Sequence, residues 1–143
     1  MSLRPRLGPK ETILWNDFLP TAINIYSNFQ YDVKVKPDAS QGFPAIHEYV
    51  KNWTDLNCPR IDVYATNKEN KPVIFEVRPH ADFTAIASVI TYYTLLQATG
   101  QLKSRAELCI VCRNISDVNI ALAKSKGIII YILEEGAGTP RII

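Results

Sequence analysis

Two acidic residues and an arginine occupy one short segment of the sequence, residues 60–78, which reads RIDVYATNKENKPVIFEVR. Around Asp62 and Glu76, apolar and polar side chains alternate with the period of two that is typical of strands. The segment therefore predicts a β-hairpin with its turn at residues 67–71, which places Asp62 beside Glu76 on one face and Arg78 further along it. Two carboxylates so placed are suitable oxygen ligands for one divalent cation.

The length and composition of the chain predict one domain. It has 143 residues, of which 47% are hydrophobic, and a formal charge of +2. We expect a single core within residues 1–143. The weak positive charge is compatible with a nucleic-acid partner but does not establish one. With no signal peptide and no apolar run of the ~20 residues that span a membrane, the sequence predicts a cytoplasmic protein with no membrane partner.

Several other reactive side chains favour structural roles. Cys109 and Cys112 lie in the apolar run ELCIVC. Residues three apart face opposite sides of a strand, so we expect buried thiols rather than a metal site. Tyr92 and Tyr93 are expected to pack within a helix, and His80 to be exposed or hydrogen-bonded.

The first third of the chain predicts a helix and a strand. A helix begins near Pro9 and continues through KETILWNDFLPTAINIY, with Pro20 expected to kink or divide it. Residues 31–36 alternate cleanly and predict a strand with Tyr31, Val33 and Val35 on one face. Residues 37–59 lack a sustained period and are interpreted as an insertion, which could hold a short helix around residues 45–53.

The second half of the chain predicts alternating helices and strands after the hairpin. Asp82 is a candidate N-cap for a buried helix that ends at Gly100. A strand at residues 107–112, a helix at 116–125 and a last strand at 127–133 follow. The order helix, strand, hairpin, helix, strand, helix, strand predicts an α/β fold with a central mixed β-sheet flanked by helices on both faces.

The acids and the element order together resemble the PD-(D/E)XK nuclease-like superfamily, the restriction-endonuclease fold. The core of that family is α-β-β-β-α-β, to which this chain adds a helix and a strand. Its motif is an acid opening the second core strand, then acid-x-Lys on the third, and residues 59–62 (PRID) and 76–78 (EVR) stand at those places. More narrowly, the chain is similar to small phage-encoded members that read RIDVV, then EVKP, then a helix with a Gly-Gln-x-x-x-Tyr pattern.

Two positions depart from the family pattern. Arg78 stands where the family has Lys, and Ala87-Ser88 stand where the helix has Gly-Gln, although Tyr92 occupies the expected tyrosine position. Arginine keeps its proton, so Arg78 can stabilise charge but cannot serve as a base. Alternatively, Arg78 forms an ion pair with Asp62 or Glu76 and fills the place of a metal.

The resemblance implies a site for Mg²⁺ or Mn²⁺ and a DNA substrate. It implies that Asp62, Glu76 and the backbone carbonyl of Val77 bind the metal, while an acid of the first helix holds a metal-bound water. Glu11 is the first candidate for that acid and Glu48 is the alternative. The implied activity is cleavage of DNA phosphodiester bonds by a nuclease or resolvase-like enzyme of a phage or mobile element.

Two other functions stay open at the level of sequence. The departures at Arg78, Ala87 and Ser88 are compatible with a catalytically degenerate protein. Such a protein would serve as a virion head-tail or assembly component, through other virion proteins or self-association, or as a DNA-binding accessory subunit. In the third interpretation the sheet is a scaffold and the acid pair is coincidental, because a fold alone does not establish an activity.

Overall fold

A computed structural model describes residues 7–35 and 59–143. In chain order the elements are α1 (Pro9–Ala22), β1 (Tyr26–Lys34), β2 (Arg60–Asn67), β3 (Pro72–Val77), β4 (His80–Ala81), α2 (Phe83–Ala98), β5 (Glu107–Cys112), β6 (Asn114–Ile115), α3 (Asp117–Ser125), β7 (Ile128–Ile132) and β8 (Arg141–Ile142). The predicted insertion at 37–59, with its short helix, Glu48 and Cys58, lies outside the described residues apart from Pro59. No helix of the described ranges is long and apolar enough to cross a membrane.

Six strands form one mixed sheet in the order β1-β2-β3-β5-β7-β8. The strands β1, β2 and β3 are antiparallel neighbours, β3, β5 and β7 run parallel, and β8 is antiparallel to β7. The crossovers through α2 and α3 both step in the same direction along the sheet, so both helices cover the same face. The helix α1 covers the other face, and the predicted fold class is confirmed.

The two faces of the sheet carry different cores. On the α1 face the core is aromatic: Trp15 and Phe18 of α1 pack on Phe75 and Tyr131 of the sheet. The ring centroids of Trp15 and Phe75 are 5.3 Å apart, and those of Phe18 and Tyr131 are 4.8 Å apart. On the α2 face the core is mostly aliphatic and includes the buried residues Ile74, Ala85, Val89, Ile110, Ile128 and Ile130. The sheet is therefore buried on both faces, which explains the long apolar runs of its central strands.

The first helix is shorter than predicted, since it ends at Ala22 and not near Tyr26. Pro20 lies in its last turn and does not divide it, and the N–H of Ile23 still donates to the carbonyl of Leu19 at 3.0 Å. A proline interrupts a helix by removing one donor and crowding the preceding turn. Because Pro20 lies near the end of α1, few helical hydrogen bonds come after it, and the helix ends two residues later at Ala22.

The first strand begins at Tyr26, five residues before the predicted start at Tyr31. Asn28 and Asp32 have φ values of 56° and 55°, in the left-handed region, and the pairing with β2 is irregular near Asn28. Tyr31 packs toward the α1 face and Val33 toward the α2 face, although both were predicted to share one face. Left-handed residues within a strand bend it and interrupt the period of two, so the alternation does not carry through.

The second half of the chain follows the prediction closely. Asp82 is the N-cap of α2, and its carboxylate accepts from the backbone N–H groups of Thr84 and Ala85 at 3.0 and 3.3 Å. Ser116 caps α3 in the same way. The short strands β4, β6 and β8 were not predicted, and β8 rather than the strand at 127–133 is the last one. The strands β4 and β6 pair in parallel directly before the two helices and align the two helix starts.

The two central cysteines are buried on opposite faces of β5, as predicted. Cys109 belongs to the aromatic core and Cys112 to the aliphatic core. Burial raises the pKa of both thiols, that of Cys112 to about 12. Both cysteines therefore act as small apolar side chains.

Candidate active site

The hairpin of β2 and β3 brings the two predicted acids together. Its turn is fixed by the Asn67 side chain, whose oxygen accepts from two backbone N–H groups of the turn at 2.9 and 3.0 Å. The last regular pair of the ladder is Val63 with Phe75. One residue further, that register places Asp62 opposite Glu76 on the same face. The period of two and the turn position in the sequence are sufficient to predict this arrangement.

Asp62 replaces the backbone as a hydrogen-bond acceptor where the ladder ends. Its Oδ2 accepts from the backbone N–H of Val77 at 2.9 Å. This bond holds the carboxyl group of Asp62 against the end of β3, next to Glu76. The predicted role of Val77, donation of its carbonyl oxygen to a metal, stays a prediction.

Glu76 is the most buried acid among the described residues, with 3% of its surface exposed. Its Oε2 accepts from Nη2 of Arg78 at 2.5 Å. Its Oε1 is buried and receives no hydrogen bond from any donor of the described residues. Because an unpaired buried carboxylate oxygen is costly, this atom marks a position where a proton or a cation would be stabilising.

The burial of the two acids shifts both pKa values upward. Burial, and next the charge of Asp62, raises the pKa of Glu76 to about 8. Burial raises the pKa of Asp62 to about 6, against the lowering effects of the Val77 N–H and of Arg78. Because the folded pKa of Glu76 lies above neutral pH and that of Asp62 lies below it, one proton remains on the two carboxyl groups at pH 7. At neutral pH the pair of Asp62 and Glu76 therefore shares one bound proton, which supplies one positive charge to the two carboxyl groups.

Arg78 connects the acid pair to the start of α2. Its Nη2 donates to Glu76, and its Nη1 donates to the hydroxyl of Thr84 at 3.0 Å. The Thr84 hydroxyl in turn donates to the carboxylate of Asp82 at 2.5 Å. The sequence left open whether Arg78 pairs with Asp62 or Glu76, and the structure gives the ion pair to Glu76.

The helix α2 adds Tyr92, which was predicted to pack within the helix and which stands at the tyrosine position of the family pattern. Tyr92 does pack against the aliphatic core. Burial raises its pKa most, followed by the negative charges of Glu76 and Asp62, so its hydroxyl lies close to the acid pair. Ser88 hydrogen-bonds that hydroxyl. The signal was present in the sequence, because Tyr92 stands at the tyrosine position of the family pattern.

Glu11 lies near the pair without joining it. Its negative charge contributes to the raised pKa of Asp62, as the smallest of the main effects. A Cβ atom at Gly8 would collide with its Oε1, so its carboxylate lies against the start of α1. Among the described residues, no three His, Cys, Asp or Glu side chains gather into a metal-binding group. The structure brings together Asp62, Glu76 and Arg78, and Glu48 lies outside the described ranges.

The donor set fits a small divalent cation. Mg²⁺ and Mn²⁺ prefer carboxylate, carbonyl and water oxygens, and commonly take only one or two protein carboxylates. Asp62 and Glu76 supply two hard oxygen ligands on one face, and Oε1 of Glu76 lacks a donor. A bound cation would replace the shared proton and compete with Arg78 for Glu76.

The paired acids lie in a mixed α/β fold that has similar solved structures. No protein-family model and no curated protein matches the sequence. Two solved structures are similar in fold. One is a repair endonuclease from Pyrococcus abyssi, with 17% identity and a TM-score of 0.55 over 93% of this chain and 50% of that one. The other is EndoMS in a complex with double-stranded DNA, with 14% identity and a TM-score of 0.56 over 94% of this chain and 49% of that one.

At these identities the likeness concerns the fold, and this chain spans about half the length of either neighbour. The nuclease-like fold expected from the sequence is thus supported by a structural neighbour that is a repair endonuclease. The narrower resemblance to phage-encoded members stays a prediction.

Proposed function

We propose that this protein hydrolyses phosphodiester bonds of DNA with Mg²⁺ or Mn²⁺ bound by Asp62 and Glu76. The observation that carries the proposal is the buried carboxyl pair whose one oxygen, Oε1 of Glu76, has no donor among the described residues. The fold supports it, since one structural neighbour is a repair endonuclease and the other, EndoMS, was solved with double-stranded DNA. Because one of its oxygens lacks a donor, this carboxyl pair would be stabilised by a bound cation.

Each side chain of the site has a defined task in this proposal. A divalent cation, when bound, neutralises the phosphoryl oxygens and makes water a stronger acid. Asp62 and Glu76 must first release their shared proton, so cation binding becomes stronger as the pH rises. The backbone N–H of Val77 keeps Asp62 oriented.

Arg78 is the electrostatic component of the proposed site. Its guanidinium group stays protonated and offers planar donors to a phosphoryl oxygen as negative charge develops there. The bond from Arg78 to Thr84 does not involve Glu76, so it would be available if a cation were bound there. That bond keeps the guanidinium group beside the pair, where it can contact substrate.

A second candidate function is DNA binding without cleavage, and the Arg78–Glu76 ion pair favours it. At 2.5 Å this pair already supplies positive charge to one oxygen of Glu76. If the guanidinium group is the permanent partner of that carboxylate, no cation is needed for folding and the site is inert. The virion-assembly role and self-association stay predictions that no observed contact tests.

The deciding experiment combines cation binding with cleavage. Wild type is titrated with Mn²⁺ by calorimetry, and cleavage of plasmid and branched DNA is followed with Mg²⁺ or Mn²⁺. We expect binding of Mn²⁺ with release of protons, and cleavage that is lost in Asp62→Asn. Glu69→Gln, which changes an exposed acid in the turn of the same hairpin, is the matched control and should behave as wild type.

Arg78→Lys separates the two candidates. If the site is active, a lysine can also share in proton transfer, and cleavage should be retained or increased. If neither wild type nor Arg78→Lys binds Mn²⁺ or cleaves any of these substrates, the proposal is wrong. Retention of DNA binding in that case would establish the second candidate.

A further inference from the structure

Exposed cations gather at the amino ends of the three parallel strands. Three segments lead into these strands: the hairpin turn before β3, residues 99–106 before β5, and residues 124–127 before β7. Together they carry a set of exposed basic side chains, which we call the amino-end surface: Lys68, Lys71, Lys103, Arg105, Lys124 and Lys126. Glu69 is the one exposed acid in these three segments. This end of the sheet therefore has a large excess of positive charge.

The pairing of the strands brings these cations together. The strands β3, β5 and β7 are direct neighbours in the sheet. Because neighbouring strands lie ~4.8 Å apart, the three begin within roughly 10 Å of one another. Lys71 lies one residue before β3, and Arg105 and Lys126 lie two residues before β5 and β7. Cations from three separate segments of the chain therefore converge on one edge of the sheet.

The exposed acids of the described residues lie at the other end of the sheet, with the exception of Glu69. They follow the carboxyl ends of the strands or, in α1, contact Arg113 there: Asp17, Asp82, Asp117, Glu134 and Glu135. Glu76 comes five residues after Lys71 along β3, so the acid pair is about 17 Å away from the amino-end surface. The Debye length in 0.1 M salt is ~10 Å. The carboxylates of the far end therefore do not neutralise the field of the amino-end surface.

Contacts within the described part of the chain leave these cations without anionic partners. The ion pairs between described residues are made by Arg60, Arg78 and Arg113, and none of them includes a residue of the amino-end surface. Side chains of like charge that lie close together repel one another in the free protein. A bound polyanion would relieve that repulsion.

The three segments offer charge and polar groups but little apolar surface. None of the exposed large apolar side chains of the described residues belongs to them: Ile13, Ile23, Phe83, Val118, Leu122 and Ile142. The core of a protein–protein interface is enriched in aromatic residues and depleted of lysine, and a helix that binds a membrane presents apolar side chains to the lipid. A surface for the nucleic-acid backbone instead requires an excess of Lys and Arg. The composition of the amino-end surface favours this last partner.

We propose that the amino-end surface binds the phosphate backbone of double-stranded DNA, independently of base sequence. Lysine side chains contact phosphates as flexible point charges, and such contacts carry no sequence information. The inference goes beyond the proposed function, because it separates the surface that supplies affinity for DNA from the acid pair that would cleave it. It holds equally for a protein that binds DNA without cleaving it.

The test compares two double variants that each remove one lysine and one arginine. Arg105→Ala with Lys126→Ala changes the amino-end surface. Lys10→Ala with Arg141→Ala is the matched control, because Lys10 lies beside Glu134 and Arg141 pairs with the last residue of β7, both at the other end.

Binding of a short fluorescein-labelled DNA duplex is measured by anisotropy in EDTA over a range of KCl concentrations. The amino-end double variant should weaken binding about tenfold or more and lower the slope of log affinity against log salt by about two, since each phosphate contact contributes about 0.9. The control double variant should bind nearly as wild type does. A duplex of scrambled sequence should bind wild type as tightly as the first duplex.

A conservative variant separates loss of charge from loss of structure. Arg105→Lys with Lys126→Arg keeps both charges and should bind DNA as wild type does, and circular dichroism checks that every variant is folded. Wild-type affinity in the amino-end Ala variant, equal losses in the two Ala variants, or no binding of the duplex by wild type would overturn the inference. An RNA duplex of the same sequence that binds severalfold more tightly would assign the surface to RNA and overturn it as well.

Cleavage assays keep this inference apart from the proposed function. Asp62→Asn should lose cleavage and keep its affinity for the duplex, whereas Arg105→Ala with Lys126→Ala should raise the KM for DNA and keep kcat. Binding through the amino-end surface without cleavage by wild type would support this inference and contradict the proposed function. Cleavage by wild type with an unchanged KM in the amino-end variant would do the reverse.

Discussion

The Asp62–Glu76 pair and the hydroxyl network around Tyr26 both lie at the sheet and are partly buried, but their hydrogen bonding differs. In the network, the Tyr26 hydroxyl donates to Oε2 of Glu107 at 2.6 Å and lies 2.5 Å from the Tyr131 hydroxyl. One carboxylate there is surrounded by neutral donors. In the acid pair, two carboxyl groups lie side by side, and Oε1 of Glu76 has no donor among the described residues.

The difference shows how a buried acid can be structural in one place and chemically active in another. Neutral hydroxyl donors stabilise a single carboxylate without changing its charge. Burial raises the pKa of Tyr26 far above its usual value, so this hydroxyl stays a donor at any ordinary pH. The acid pair is stable only with a proton, a guanidinium group or a cation in addition. Perturbed groups of this kind are typical of functional sites.

The largest effect expected is on cleavage, and it should separate the two acids. Glu76→Gln removes a cation ligand worth several kcal/mol of charge stabilisation, so the cleavage rate should fall about a hundredfold or more. Glu107→Gln makes the same chemical change on the adjacent strand and should leave the rate within about twofold of wild type. Initial rates on plasmid DNA with Mg²⁺ measure both. Equal losses in the two variants would remove the distinction between the regions.

The second prediction concerns the pH dependence of stability without divalent cations. The folded pKa of Glu76 is raised to about 8 from an ordinary value near 4.5, and that of Asp62 to about 6. An acid whose folded pKa is raised stabilises the protein below its unfolded pKa, and this contribution is lost as the pH rises through the folded pKa.

The free energy of unfolding should therefore fall by several kcal/mol between pH 5 and pH 8. Asp62→Asn should reduce the fall without abolishing it, because burial, the larger cause of the raised pKa of Glu76, remains while the charge of Asp62 is removed. Urea unfolding in EDTA at several pH values is the measurement. A wild-type stability that rises over this range would contradict the assignment of a shared proton.

Mutation of the hydroxyl network should lower the free energy of unfolding and leave the cleavage rate unchanged. Tyr26→Phe leaves Glu107 and Tyr131 without their central partner, which should cost about 1–3 kcal/mol of unfolding free energy. Tyr93→Phe is the matched control, since the Tyr93 hydroxyl accepts only an exposed bond from Gln97, and should cost less than about 0.5 kcal/mol. Urea unfolding measures both, and cleavage by Tyr26→Phe should match wild type below its unfolding transition.

The smallest predicted effect tests the place of Glu11. If its charge acts on Asp62 only through space, Glu11→Gln should weaken Mn²⁺ binding about two- to threefold, the scale of a partly screened charge interaction. A direct or water-mediated ligand would cost tenfold or more. Calorimetric titration distinguishes these outcomes, with Glu69→Gln as the control for a general loss of negative charge.

The hairpin and the second half of the fold could be predicted because their signals are local. The period of two and the turn at Asn67 fix the register that aligns Asp62 with Glu76. The caps at Asp82 and Ser116 likewise depend on neighbours within three residues. Where the local signals agree with the tertiary arrangement, the sequence alone is sufficient to predict the element and its register.

Other features depend on contacts between distant segments and could not be predicted. Tyr26 meets Glu107 and Tyr131 across 81 and 105 residues, and no sequence period indicates that pairing. The early start of β1 was hidden because left-handed residues at Asn28 and Asp32 break the alternation. The partner of Arg78 was undecided because Thr84, which accepts from its Nη1 while Nη2 donates to Glu76, becomes its neighbour only when α2 packs beside the hairpin.

Because Cys109 and Cys112 lie on opposite faces of β5, their labelling rates report the order in which the two helical layers detach from the sheet during unfolding. Neither thiol can react with an alkylating reagent until its covering layer detaches, since both are buried and held in the unreactive protonated form. In a background with Cys58 replaced by Ser, modification of Cys109 reports departure of α1, and modification of Cys112 reports departure of α2 and α3. The ratio of the two labelling rates, followed by mass spectrometry, reveals which side of the sheet is exposed first.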